Sequence, residues 1–82
     1  MAKYDPLMDW LLGQRAKRIE MSFGEIGKKV GGLPASASRY REWWANEEGE
    51  TSHVQCAAWM KAGYRVDAVN LELRRVTFVR ER

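Results

Sequence analysis

Residues 21–44 read MSFGEIGKKVGGLPASASRYREWW, which predicts two helices joined by a glycine turn. Ser22 and Glu25 form a capping box, in which the Ser22 hydroxyl accepts from the Glu25 backbone N–H and the Glu25 carboxylate accepts from the Ser22 N–H. Gly31-Gly32 ends the first helix, because glycine adopts the left-handed conformation of a helix C-terminus without a Cβ clash. Two helices joined in this way are typical of a helix-turn-helix element.

The second helix of the pair is predicted over residues 34–44. Pro34 is already in the conformation of a first helical turn. Ala37, Tyr40 and Trp44 recur on one side of the helix, which is typical of a face packed against a core. In a helix-turn-helix protein this second helix is the one that enters the major groove of DNA.

Upstream of this pair the sequence predicts one helix and one short strand. Asp5-Pro6 is typical of a helix start. Leu7, Trp10 and Leu11 follow at the spacing of one apolar stripe. Residues 18–21 alternate polar and apolar side chains, which predicts a short strand or an extended link.

Downstream of the pair the sequence predicts a further helix over 52–62 and a hairpin over 64–80. A weaker capping box begins the helix at Ser52. Along the hairpin the period-two alternation changes phase near Ala68, which a β-bulge or a twist would explain. Residues 72–75 are the predicted connection between the two strands.

Together these elements predict an α+β fold of the winged helix-turn-helix type, with three to four helices and a C-terminal β-hairpin. One winged-helix-like domain is expected over residues 1–82, because a chain of 82 residues buries one small core and leaves no room for a large substrate cavity. The helix at 52–62 departs from the winged-helix order, so it is either an insertion or a sign of a different α+β arrangement.

The charges favour nucleic acid as the partner. The chain carries 14 Lys and Arg against 11 Asp and Glu, a net charge of +3. The cations occur in groups along the chain. One group is Arg15-Lys17-Arg18, and the C-terminal group includes Arg80 and Arg82. A winged helix could turn all the groups toward one duplex, where they would neutralise phosphates. The residues predicted to contact double-stranded DNA, through the helix at 34–44, the hairpin at 64–80 and the preceding helix, are Lys28, Lys29, Ser36, Ser38, Arg39, Arg41, Arg74 and Arg75.

Aromatic side chains at helical and strand spacing predict the core. Adjacent side chains on a helix point about 100° apart, so Trp43 and Trp44 face different sides. Trp44 shares the side of Ala37 and Tyr40 and is assigned to the interior. Trp43 either packs beside it or is exposed, where it could stack on a base or anchor a dimer. Asn46 either caps the end of the helix or reads an adenine. The predicted structural core is Trp10, Phe23, Tyr40, Trp44, Trp59 and Phe78.

Catalytic and metal-binding motifs are weak, so the sequence predicts a protein that is not an enzyme and needs no metal and no cofactor. His53 and Cys56 are the sole histidine and cysteine. This pair is a poor zinc pattern, and one thiol excludes an internal disulfide. Gly31-Gly32 lacks the lysine that follows the glycines of a phosphate-binding loop.

No secretory signal and no membrane-spanning stretch is found in the sequence. The first twelve residues contain Lys3, Asp5 and Asp9 and lack a long apolar run. With one cysteine and no export signal, the expected location is the cytoplasm, and no membrane partner is expected.

Several pieces of the sequence resemble a small bacterial and phage domain family of unknown function. The resemblance spans nearly the whole chain, and it implies a link to DNA-handling modules without assigning an activity or a catalytic residue. Gly24 and Gly27 depart from it, because larger helix formers are expected at those positions. The pieces are Tyr4-Asp5-Pro6-Leu7, Met21-Ser22-Phe23-x-Glu25-Ile26, Leu33-Pro34-x-Ser36-Ala37, Trp43-Trp44-Ala45-Asn46, His53, Trp59, Ala62-Gly63-Tyr64-x-Val66 and Val76-x-Phe78-x-Arg80.

Two functions follow from these observations. The first is a small DNA-binding protein, a transcriptional regulator or a phage or mobile-element accessory factor, acting as a homodimer if two half-sites are needed for specificity. The alternative is a protein–protein interaction module, for example an inhibitor of a phage or host factor, that uses exposed Trp and Arg side chains. A steep salt dependence of DNA binding would favour the first function.

Overall fold

The computed structural model describes residues 2–47 and 54–81. Within them lie four α-helices, one 3₁₀ turn and three strands. The α+β class predicted from the sequence is confirmed. In chain order the elements are α1 (Asp5–Leu12), β1 (Arg18–Ser22), α2 (Phe23–Val30), α3 (Ala35–Arg39), the 3₁₀ turn (Arg41–Trp44), α4 (Val54–Lys61), β2 (Tyr64–Asn70) and β3 (Arg75–Arg80).

The three strands form one antiparallel sheet in the order β1-β3-β2. At one end Ser22 lies opposite Arg75, next to the turn at residues 71–74; we call this the tip end. At the other end Arg18 lies opposite Val79; we call this the far end. The register shifts between Val66 and Ala68, where the sequence predicts the change of phase.

Helix α2 begins and ends as the sequence predicts. The Glu25 backbone N–H donates to the Ser22 hydroxyl at 3.0 Å, and the Ser22 N–H donates to Glu25 Oε1 at 3.1 Å. Gly31 follows the helix with φ at 78°, in the left-handed region. Because both signals act within a few residues, they are readable without knowledge of the tertiary structure.

The predicted helix over 34–44 is wrong in its length. Helix α3 has five residues and stops at Arg39, and Tyr40 takes an extended conformation before the 3₁₀ turn. The break has a physical reason in Trp44, whose indole N–H donates to the Ala37 carbonyl at 2.8 Å. In a continuous helix these residues would lie about 10 Å apart along the axis, too far for that bond.

Four of the six residues predicted for the aromatic core lie in the interior. Phe23, Trp44, Trp59 and Phe78 are buried. Their packing is close, since the Trp44 ring centroid lies 4.9 Å from that of Phe23 and 5.8 Å from that of Trp59. Helix α4 carries Trp59 inward and packs against α1 and β2.

Two predicted core residues are placed differently. Tyr40 is 56% exposed, because the break after α3 turns it away from the interior. Trp10 is half-buried at the edge of the core, with the Lys29 Nζ 4.6 Å from its ring centroid. The residues predicted to begin the fourth helix, including Ser52 and His53, lie outside the described residues.

Replacing Gly27 by alanine is expected to stabilise the protein by about 0.5–1 kcal/mol, because glycine costs that much in a helix interior. The new Cβ would meet Gly32 Cα at 3.8 Å and Leu33 N at 3.9 Å, which are ordinary contacts. Urea unfolding of the variant and the parent measures the difference. Gly31→Ala is the control, and it is expected to destabilise because its φ of 78° is strained for alanine. A Gly27→Ala variant less stable than the parent contradicts the expectation.

Candidate nucleic-acid interface

The tip of the β2–β3 hairpin lies against the helix-turn-helix pair. The Arg74 carbonyl accepts from the Phe23 backbone N–H at 2.8 Å, so the turn is tied to the start of α2. The Arg74 guanidinium donates to the Ser38 hydroxyl on α3 at 3.0 Å. Arg74 itself has a left-handed backbone, with φ at 57°. One arginine therefore joins the hairpin to both helices.

An open groove of about 430 Å³ runs between the tip and α2. Gly24 and Gly27 present no side chains on this edge of the helix, so the groove reaches the helix backbone. Leu33 and Leu73 give the groove apolar walls, and Leu73 is 69% exposed. Ser38 and Arg74 provide its polar rim.

Three exposed cations belong to the elements that form this groove. Lys28 is exposed and follows Gly24 by four residues, which places it on the same edge of α2. Arg39 is exposed on the face of α3 opposite the buried Ala37. Arg75 lies opposite Ser22 at the tip end of the sheet. We call the surface formed by Lys28, Ser38, Arg39, Arg74 and Arg75 the tip patch.

The electrostatics of the tip patch extend to one carboxylate. The hydrogen bond from the Ser22 backbone lowers the pKa of Glu25 below its ordinary value, as does the bond from the Ser22 hydroxyl. The charges of Arg75 and Lys29 lower this pKa further. The Glu25 carboxylate of the capping box is therefore favoured in its ionised form. Its negative charge offsets part of the positive charge of Arg75 and Lys29.

Three predicted DNA contacts lie away from the tip patch. Ser36 lines a separate pocket with Tyr40 and Trp43. The Arg41 guanidinium donates to the Val69 carbonyl at 2.6 Å, along the outer edge of β2. Lys29 turns toward α1 and covers the Trp10 ring. The break at Tyr40 accounts for Arg41, which lies beyond it, whereas Ser36 and Lys29 precede the break and face away by their positions around α3 and α2.

The expectation that all cations form one surface is wrong. Arg18 begins β1 at the far end, whereas Arg75 begins β3 at the tip end. A five-residue strand separates these ends by about 13 Å. The Arg80 side chain makes intramolecular contacts: it donates to the Gln14 carbonyl at 3.3 Å and lies over the Tyr64 ring. The cations therefore divide between the two ends of the sheet, and Arg82 lies outside the described residues.

Asn46 neither caps a helix nor is free to read a base. Its Nδ2 donates to the Val66 carbonyl at 2.8 Å, and its Oδ1 accepts from the Val66 N–H at 2.9 Å. The same Oδ1 accepts from the Trp59 indole N–H at 2.9 Å. The side chain therefore pairs with β2 as a neighbouring strand would. No local signal in the sequence predicts this role, because the partners are at least 13 residues away.

Trp43 belongs to the edge of the core. It is half-buried, and its ring centroid lies 4.6 Å from that of Trp44 and 6.0 Å from that of Tyr4. The Trp43 carbonyl accepts from the Gln55 side chain at 3.1 Å. These contacts assign Trp43 to packing beside Trp44, the first of the two roles predicted for it.

Within residues 2–47 and 54–81, no three His, Cys, Asp or Glu side chains are grouped so that they could hold a metal ion. Cys56 is buried in α4, and His53 lies outside these ranges. No helix in the same ranges is long and apolar enough to span a bilayer.

Comparison with known proteins places the chain in a family. No curated protein matches the chain, and no solved structure matches it. Residues 4–82 match the family model described as a domain of unknown function, DUF7662, so the resemblance to a family of unknown function is confirmed and the chain belongs to that family.

Proposed function

We propose that the protein binds duplex DNA through the tip patch. The observation that carries the proposal is the hydrogen bond between Arg74 and Ser38, which brings the hairpin and α3 onto one surface. Lys28, Arg39 and Arg75 surround the same surface. Cations converging on one groove are the arrangement that neutralises neighbouring phosphates and releases their counterions.

The topology supports a winged helix-turn-helix mode of binding. Helix, strand, two helices and a terminal hairpin follow one another, and β1 pairs with β3 at the edge opposite β2. The 3₁₀ turn and α4 are additions between α3 and the hairpin. Because α3 has five residues, it offers little length to a major groove. The hairpin tip therefore takes a larger share of the contact than in a protein with a long second helix.

Each part of the tip patch has a distinct task in this proposal. Lys28, Arg39 and Arg75 contact phosphates, which sets the position of the protein on the duplex without reading sequence. Arg74 and Leu73 enter the minor groove, where arginine is attracted and an apolar side chain can wedge between base steps. A regulator, or an accessory factor of a phage or mobile element, is the class of protein that such a small module suits.

Arg39→Ala and Arg74→Ala are each expected to weaken binding to random duplex DNA about tenfold and to reduce the slope of log affinity against log salt by about 1. Gel-shift or fluorescence-anisotropy titrations at several salt concentrations measure both quantities. Circular dichroism verifies that each variant is folded.

Lys61→Ala is the matched control for these variants. It removes the same charge from an exposed position at the end of α4, next to the far end of the sheet. Its affinity and salt slope are expected to equal those of the parent. Equal losses in all three variants, or no binding at low salt, would refute the tip patch as a DNA-binding surface.

A protein partner is the second candidate. Tyr40 is 56% exposed between Arg39 and Arg41, and Leu73 is 69% exposed beside Arg74; tyrosine and arginine are enriched in interface hot spots. This candidate predicts that Leu73→Ala abolishes capture of a stoichiometric protein partner. It also predicts that DNA binding by the parent is absent or independent of salt.

A further inference from the structure

The two edge strands of the sheet, β2 and β1, differ in whether side chains cover their outward backbone groups. On the outer edge of β2, Asn46 occupies both the N–H and the carbonyl of Val66, and Arg41 occupies the carbonyl of Val69. A further strand cannot pair there without displacing these side chains. The outer edge of β1 has no such cover in the described chain.

The hydrogen bonds of β1 show which of its groups face outward. The Arg80 N–H donates to the Lys17 carbonyl at 2.7 Å, and the Phe23 N–H donates to the Arg74 carbonyl at 2.8 Å. Because pairing alternates along an antiparallel strand, Ile19 and Met21 also face β3, whereas Arg18 and Glu20 face away. The N–H of Ser22 is already taken by Glu25. The open edge therefore consists of the backbone groups of Arg18 and Glu20.

We propose that two copies of this chain join through their β1 strands, antiparallel, with Arg18 of each opposite Glu20 of the other. In this register all four open backbone groups of each copy are paired. The two-fold axis passes between the two Ile19 residues, so the interface is the same patch on both subunits.

Charge selects this register among the possible ones. Outward residues must face outward residues, so the alternatives place Arg18 opposite Arg18 or Glu20 opposite Glu20. Like charges directly opposite each other destabilise a strand pair, whereas opposite charges stabilise it. Both side chains are exposed and, within residues 2–47 and 54–81, neither takes part in an ion pair. They are therefore free to pair across the axis.

The core face of the sheet also gains from this pairing. Ile19 lies opposite the fully buried Phe78 and is itself half-buried at the margin of the core. Across the axis two Ile19 side chains would meet at a non-hydrogen-bonded position, with Cα atoms about 4.5 Å apart. Each would cover the exposed part of the other. The Arg74 and Arg75 Cα atoms of the two tip patches would lie roughly 25–30 Å apart by strand rise and spacing, somewhat less than one turn of DNA.

Sedimentation equilibrium over a wide protein concentration series tests the proposal. The parent is expected to form a dimer, and Glu20→Arg and Arg18→Glu are each expected to raise its dissociation constant about tenfold or more, because each change creates two like-charge pairs. The double variant R18E/E20R restores opposite charges and is expected to recover the parent value. A monomeric parent, or a dimer that none of these changes affects, overturns the proposal.

Crosslinking tests the register itself. Ile19→Cys is expected to form an intersubunit disulfide under mild oxidation, because the Cα separation at the axis falls within the range of disulfides. Lys17→Cys is the control, since two Lys17 residues would lie about 13 Å apart. Equal crosslinking of both variants refutes the register. Neither experiment contains DNA, so failure of the dimer and failure of DNA binding are distinguishable.

Discussion

Replacing Trp44 by alanine is expected to lower the free energy of unfolding by about 3–5 kcal/mol, the range for truncating a large buried aromatic side chain. Trp44 is 2% exposed and lies between the rings of Phe23 and Trp59. Its loss also leaves the Ala37 carbonyl without its indole donor. A domain of this size has a total stability of about 4–12 kcal/mol, so the variant is expected to lose roughly a quarter of it or more.

Urea unfolding followed by near-ultraviolet circular dichroism measures this effect. Trp10→Ala is the matched control, because Trp10 is the same residue type but is half-buried at the edge of the core. Its cost is expected to be clearly smaller. If the two variants lose equal stability, the assignment of Trp44 to the centre of the core is wrong.

Asn46→Ala is expected to cost about 2–4 kcal/mol, because it removes the hydrogen-bond partner of three polar groups. The Val66 N–H and carbonyl lose the bonds that the side chain makes to β2. The Trp59 indole N–H loses its acceptor, and Trp59 is 0% exposed, so water cannot easily replace it. The variant also uncovers the outer edge of β2, so it is expected to aggregate more readily.

Thermal and urea unfolding measure the loss, and light scattering of the folded variant measures the aggregation. Asn70→Ala is the control, since Asn70 Oδ1 accepts one exposed bond from the Leu73 N–H in the hairpin turn. That change is expected to cost about 1 kcal/mol or less. A loss at Asn46 no larger than at Asn70 would show that the side chain does not support the sheet edge.

The covered edge at β2 and the open edge at β1 would direct association to β1. Asn46 and Arg41 cover β2, while Arg18 and Glu20 leave β1 open with charges that complement a second copy in one register. Charged residues on a short edge strand ordinarily prevent uncontrolled pairing. Here the same residues would permit one partner and oppose slipped registers.

The candidate site was predictable in part. Lys28, Ser38, Arg39, Arg74 and Arg75 are predicted from their positions in a helix-turn-helix and a hairpin; the structure joins Arg74 to Ser38 by a hydrogen bond and leaves Lys28, Arg39 and Arg75 exposed. Ser36, Lys29 and Arg41 were selected by the same reasoning and lie elsewhere. A straight helix over 34–44 would keep Arg41 on the same helix as Arg39, but the break at Tyr40 redirects the side chains beyond it.

Local signals determined the ends of α2, the strand β1 and the bulge near Ala68, because each depends on interactions or periodicity within a few residues. Contacts between residues far apart in the chain decided the rest. The bond from Trp44 to Ala37 broke the helix, Asn46 became a partner of β2, and the register of β1 and β3 separated the cations into two ends. No single segment carries such information, since it arises when a buried polar group must find its partner across the fold.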